Sequence, residues 1–115
     1  MTVKEFYELT GGDYDRVTEL LLKDELIKKF VLKFANDGSY NSLKEAIADG
    51  DIEASFHAAH TLKGVSANLG FVRLQNAVSD LTEQLRPCTE QADPALVQKV
   101  DECYASVMDN MKELD

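Results

Sequence analysis

Two histidines, His57 and His60, stand three residues apart in the run FHAAHTLKGVSANLGF, which spans Phe56 to Phe71. Lys63 and Gly64 follow the second histidine at the third and fourth positions. On a helix, residues at those offsets are neighbours, so both would flank the His60 imidazole. An imidazole, with a reference pKa of about 6.5, offers a neutral nucleophilic nitrogen near pH 7. An ammonium beside it can neutralise the oxygens of a group being transferred. Glycine inside a helix costs about 1 kcal/mol relative to alanine. What offsets that cost is space, because a residue without a β-carbon lets another molecule come close. Ala67, one turn further on, keeps the same strip low. The constellation suits a phosphoryl group.

That group must arrive already activated. The chain has no GxxxxGK[ST] loop and no glycine-rich phosphate cradle. His57 has no lysine or glycine at the offsets that serve His60, and reads as a surface neighbour that tunes the field there or touches a partner. Histidines at i,i+3 could also begin a metal site. Between Ala54 and Ser79, however, there is no Asp or Glu, and the core-facing positions are apolar. No metal is expected. The charged residues of that window are Lys63 and Arg73, in a chain whose formal net charge is −9. Such a neutral-to-basic patch on an acidic protein suits a negative partner, which Arg73 could also contact. The net charge itself argues against nucleic acid, whose phosphates require Lys and Arg clusters.

The elements that position these residues read as helices, with no sustained apolar/polar alternation. Val3 to Leu9 ends at Gly11-Gly12, and Tyr14 to Leu22 follows Asp13 as N-cap. Glu25 to Asn36 follows Asp24 as N-cap, carries the stripe Leu26, Ile27, Phe30, Val31 and Phe34, and closes at Gly38. A helix from about Tyr40 to Asp49 ends at Gly50. Asp51 caps the central helix, Ile52 to Leu69, which Gly70 breaks. Its core side is Ile52, Phe56, Ala59, Leu62, Ser66 and Leu69, with His60, Gly64 and Ala67 on an adjoining strip. Val72 to Leu85 follows, stopped by Pro87. After the loop Arg86 to Asp93, the pair Asp93-Pro94 starts the last helix. The aromatic and Met positions, among them Phe30, Phe34, Phe56, Tyr104 and Met111, read as core.

The expected class is all-α: an antiparallel up-down four-helix bundle over residues 39–115, preceded by short helices in residues 1–38, in one domain of 115 residues. No apolar run approaches the roughly 20 residues that span a bilayer, so no membrane is expected. The opening MTVKEFYELTGG lacks the basic start and apolar centre of a secretory signal. Cys88 and Cys103 have neither metal-ligand nor CxxC spacing and read as free thiols, so the expected compartment is the cytoplasm.

The eleven residues His60-Thr61-Leu62-Lys63-Gly64-Val65-Ser66-Ala67-Asn68-Leu69-Gly70 resemble the signature of histidine-containing phosphotransfer (HPt) domains. That pattern is His, Lys and Gly at the third and fourth positions after it, a small residue two later, and Gly ten after the His. The wider likeness runs from about Tyr40 to the C-terminus. It implies that His60 accepts a phosphoryl group through Nε2 from the aspartyl phosphate of a receiver domain, in a response regulator or hybrid histidine kinase, and passes it to another. Lys63 would bind the phosphoryl oxygens, Gly64 would clear room for the partner, and Ser66 would be a small, helix-packed position. A Gln or Glu on the next helix often holds the other imidazole nitrogen in this family. By spacing that position is Thr82, whose shorter side chain leaves Glu83, Gln75 or water to replace it. Val65, where small residues are frequent, is a second departure.

The resemblance implies a phosphocarrier rather than an enzyme, with no cofactor of its own, Mg²⁺ on the partner receiver, and a monomer working as a free carrier. Two other readings are a pseudo-HPt scaffold that binds receivers without phosphotransfer, and a plain helical structural protein.

Overall fold

A computed structural model of the chain describes residues 1–21 and 23–114. Those residues form seven α-helices and one 3-10 turn, with no strand among them. The helices are α1 (Val3–Thr10), α2 (Tyr14–Leu21), α3 (Asp24–Lys33), α4 (Ser39–Ala48), α5 (Ile52–Asn68), α6 (Val72–Leu85) and α7 (Pro94–Met111), and the 3-10 turn Phe34–Asn36 follows α3. The all-α class and the helical bundle are as the sequence led us to expect. Leu22 and Asp115, where the second helix and the domain were expected to end, lie outside the described residues.

Local chemistry explains most of the boundaries. The Asp51 side chain accepts the Ala54 N–H, and Asp93 accepts that of Ala95 with Pro94 in the first turn, so α5 and α7 start where a cap meets a helix former. Asp13 likewise accepts the Arg16 N–H at the head of α2. Asp24 differs from expectation. It is the first residue of α3, not its cap; Lys23 takes the cap position without a side-chain bond. The reason is that the Asp24 carboxylate accepts the Tyr14 hydroxyl, which ties α2 to α3.

Helix α3 also ends earlier than its apolar pattern suggests, its last turn tightening into the 3-10 turn. Gly38 does not close it but precedes α4, where the Asp37 carboxylate accepts the Ser39 N–H. Within α3 only Ile27 and Val31, then Phe34 in the turn, reach the core. Leu26 and Phe30 remain 39% and 38% exposed. The buried three follow the i, i+4, i+7 line, and the other two lie about 100° round from it, beyond the single face this short helix packs.

The four C-terminal helices alternate in direction. At one end, the Gln91 side chain of the α6–α7 loop donates to the Gly50 carbonyl in the α4–α5 turn. At the other, the α5–α6 turn meets the N-terminal helices. Tyr40 of α4 stacks on Tyr104 of α7 at 3.7 Å, while its hydroxyl and the Lys44 ammonium both donate to Asp101. Burial and the Asp101 carboxylate push the Tyr40 phenol well above its ordinary range. Cys103 is buried and Cys88 exposed, and neither is in a disulfide.

One core runs from Val3 to Met111 and includes Phe6 and Tyr7 of α1, both fully buried. Phe71 is its aromatic hub, edge-on to Phe34 at 5.3 Å and near Phe6 and Tyr7 at 6.0 and 5.8 Å. Around this hub the N-terminal segment grips the α5–α6 turn. The Tyr7 hydroxyl donates to Leu69 O at 2.7 Å, Asp13 N–H to Gly70 O at 2.9 Å, and Arg73 N–H to Gly11 O at 3.1 Å.

Gly70 has φ +70°, and a β-carbon there would lie 2.3 Å from Val17 Cγ2. Left-handed strain and overpacking then act together. Gly70→Ala is expected to destabilise the protein by about 2–4 kcal/mol in urea unfolding. A loss below about 1 kcal/mol would mean that α2 yields without cost.

Candidate functional site

Helix α5 divides lengthwise. Ser55, Ala59, Leu62 and Ser66 are buried, whereas His57, His60 and Gly64 are exposed and Lys63 and Ala67 are half-buried. Small residues on the inner side let α6 approach. The Ser66 hydroxyl is fully buried with no hydrogen-bond partner, and Ser55 donates to the Asp51 carbonyl. Ile52, Phe56 and Leu69, expected on the core side, are only partly buried, at the margins of the inner face.

The outer strip has the low profile expected of it. A β-carbon built on Gly64 would meet nothing within 4 Å. No part of this chain therefore requires glycine at that position. His60 stands beside this open floor, and among the described residues no side chain hydrogen-bonds its ring. Among the described residues Lys63 forms no close ion pair, which leaves its ammonium available to an incoming anion.

Thr82 does not reach the ring. It is fully buried, and its hydroxyl donates to the Val78 carbonyl one turn back in α6 at 2.7 Å. A threonine at a core-facing helix position satisfies its hydroxyl locally, because no partner lies across the apolar interface. Neither Glu83 nor Gln75 hydrogen-bonds the imidazole instead.

Arg73 is engaged elsewhere. Its guanidinium donates to Leu9 O at 3.4 Å and fills the space over Gly11, where a β-carbon would lie 2.5 Å from Nε. It caps the end of α1 rather than bordering His60.

His57 lies 4.0 Å from Glu53, one turn earlier, with both side chains well exposed. That acid falls just outside the acid-free window, so His57 does have a carboxylate neighbour. Even so, among the described residues no three His, Cys, Asp or Glu side chains gather as a metal site would require.

On the α6 flank, three residues take places that the sequence does not announce. Phe56, read as core, is half-buried, and its ring centroid lies 6.0 Å from that of His60. The Arg86 guanidinium lies 5.3 Å from the same Phe56 centroid. It forms a bidentate pair with Glu83, Nη2 to Oε1 at 2.8 Å and Nε to Oε2 at 3.0 Å. Arg86 holds the Glu83 carboxyl below its ordinary value, and Lys63 and His60 lower it further. The acid-free window is thus acid-free along the chain but not in space. Two signals were present: Phe56 is four residues before His60, and Glu83 and Arg86 have i,i+3 spacing. On the opposite flank, Phe30, Phe34, Val65 and Leu69 line a shallow groove of about 200 Å³, with Lys33 and Asp37 at its rim.

The Hpt domain family matches residues 36–110, from the last residue of the 3-10 turn into the final turn of α7, leaving α1 to α3 outside the match. No curated protein and no solved structure matches the chain. No helix among the described residues is long and apolar enough to cross a membrane.

The electrostatics can be checked by titration. Because its folded value is depressed, the Glu83 carboxyl contributes stability above the ordinary 4.5 that fades as pH falls through the folded midpoint. Carbon-detected NMR should find that midpoint below 4.5. Arg86→Gln should move it back up, though not fully, since Lys63 and His60 remain. An unmoved midpoint would show that Arg86 is not the main cause.

Proposed function

The chain belongs to the Hpt domain family, and on that premise we propose that His60 accepts a phosphoryl group from a receiver domain and hands it to another. Hpt domains are phosphocarriers of phosphorelays that interact with receiver domains, and they are not turnover catalysts. What remains is which residues carry the group here.

The observation that supports His60 is the empty space over Gly64 beside it. A protein that needed only a stable helix would gain from alanine at that position. The low strip lets a receiver bring its phosphoaspartate in line with the imidazole. In the transfer, the bond from phosphorus to the imidazole nitrogen forms as the acyl oxygen–phosphorus bond breaks, and the aspartate carboxylate leaves. Positioning and charge supply most of the acceleration in such a step. Lys63, half-buried and unpaired one turn along, offsets the charge on the phosphoryl oxygens. Nε2 is the reacting nitrogen in this reading. Mg²⁺ and the acids that hold it belong to the receiver, and this chain brings no cofactor. The groove between α3 and α5 extends the docking surface with apolar contact, and Glu83 with Arg86 borders it on the other side.

The test mixes the protein with a phosphorylated receiver and follows an acid-labile, base-stable label. Wild type and His57→Gln should both be labelled, and His60→Gln should lose the label completely. Label that survives in His60→Gln, or shifts to His57, would overturn the assignment. Binding without label in wild type would identify a scaffold instead.

A further inference from the structure

Glu83 and Arg86 form a close ion pair on an exposed helix face, with side chains 57% and 49% exposed. Exposed pairs of this kind are worth little to stability. Their position is more telling than their strength. The guanidinium lies against the ring of Phe56, and the same ring neighbours His60. Phe56 is therefore a shelf shared by a cation and the imidazole. A guanidinium is attracted to an aromatic ring wherever it lies over the face within about 6 Å of the centroid.

We propose that Glu83 and Arg86 form a charge-exchange pair for His60: Glu83 holds Arg86 while the imidazole is bare, and the phosphoryl group takes the guanidinium over once it is attached. This inference rests on the reading of His60 as the phospho-acceptor, and adds how that state is stabilised. Three observations support it.

The first is chemical. A phosphoryl group carries nearly two negative charges and three acceptor oxygens, and it competes well for a planar, bidentate donor. The second is the field around the carboxylate. Glu83 lies within the influence of Lys63 and His60 as well as Arg86. A new anion on His60 reverses part of that field and repels the carboxylate. The third is the surrounding charge. The other titratable side chains of α5 are Lys63, His57 and Glu53, and Glu53 is itself beside His57. From α6 come Glu83 and Arg86. Lys33 and Asp37 lie across the groove, on the far flank. Of these cations, Arg86 combines two parallel N–H donors with a shelf leading to the ring.

Paired with Glu83, Arg86 leaves the bare site without a competing free guanidinium. Released, it joins Lys63 on the phosphoryl oxygens. The exchange makes and breaks no covalent bond.

The test needs no receiver. The full chain is treated with phosphoramidate, in which the phosphorus–nitrogen bond to ammonia breaks, ammonia leaves, and a bond to an imidazole nitrogen forms. The signal of phospho-His60 is assigned by its loss in His60→Gln. Its phosphorus resonance is then followed between about pH 5 and 8, through the second ionisation of the phosphoryl group. A nearby cation favours the dianion and lowers that midpoint, while a nearby carboxylate raises it.

Arg86→Gln should raise the midpoint by about half a unit, roughly threefold in the acid constant, and Glu83→Gln should lower it by a similar amount. In wild type, the Arg86 Nε–H resonance should move on phosphorylation as its partner changes. A pair that stays closed when His60 is phosphorylated also shifts the midpoints in the variants, but leaves the Arg86 Nε–H resonance where it was. Midpoints in both variants within about 0.1 unit of wild type, or an Arg86 Nε–H resonance identical in bare and phosphorylated protein, would overturn the proposal. Shifted midpoints in a protein that takes no label from receivers would sink the relay reading and leave the pair's response to phosphoryl standing.

Discussion

Gly70 turns the chain with φ +70° where Val17 leaves no room for a side chain, and the rest of the molecule is arranged around that turn. The geometry ends α5 and starts α6 within three residues, and delivers Phe71 to the centre of the core. Phe6 and Tyr7 from α1 and Phe34 from the end of α3 all meet that ring. The Tyr7 hydroxyl closes the arrangement on Leu69 O, and burial pushes that phenol well above its ordinary range, so it stays a donor. The N-terminal helices therefore belong to the same core as the bundle, although the family match begins only at residue 36.

Anchored at that turn, α5 can be asymmetric. Its inner face is built from Ser55, Ala59, Leu62 and Ser66, and three of those four are small enough to bring α6 close. Its outer face is left bare over Gly64. The bare face is flanked by different chemistries. On the α6 side, Phe56, Arg86 and Glu83 make a charged, polarisable border. On the α3 side, Phe30, Val65 and Leu69 make an apolar one. A partner approaching His60 would meet a cleared floor between a charge-bearing rim and a greasy one.

Much of this was legible in the sequence where the signal is local. Both ends of Val72 to Leu85 are legible, because its apolar stripe is complete and the Gly70 turn and Pro87 punctuate it. Asp51 and Asp93 were readable as caps because each stands directly before a helix former. The motif from His60 to Gly70 could be read because helical offsets fix which side chains are neighbours. What failed depended on contacts between elements. Asp24 has the composition of a cap, but the Tyr14 hydroxyl claims it. Leu26 and Phe30 are apolar at helical spacing, yet only tertiary packing decides how wide an arc is covered. Counting residues from a family pattern leads to Thr82, but a count cannot tell a core-facing hydroxyl from a site-facing one. Arg73, apparently free in a neutral window, caps a helix distant in sequence. The window itself looked acid-free because Glu83 enters it from a different helix.

On the proposed function, Gly64 is kept open for a partner and not for the fold. The most direct measurement is the rate of phosphoryl transfer from a phosphorylated receiver to Gly64→Gln, made beside urea unfolding of the same variant. With nothing within 4 Å of the added β-carbon, the variant should be at least as stable as wild type. Its transfer should slow by about tenfold or more, because the longer side chain occupies the approach to His60. Transfer at the wild-type rate in a stably folded Gly64→Gln protein would contradict the account.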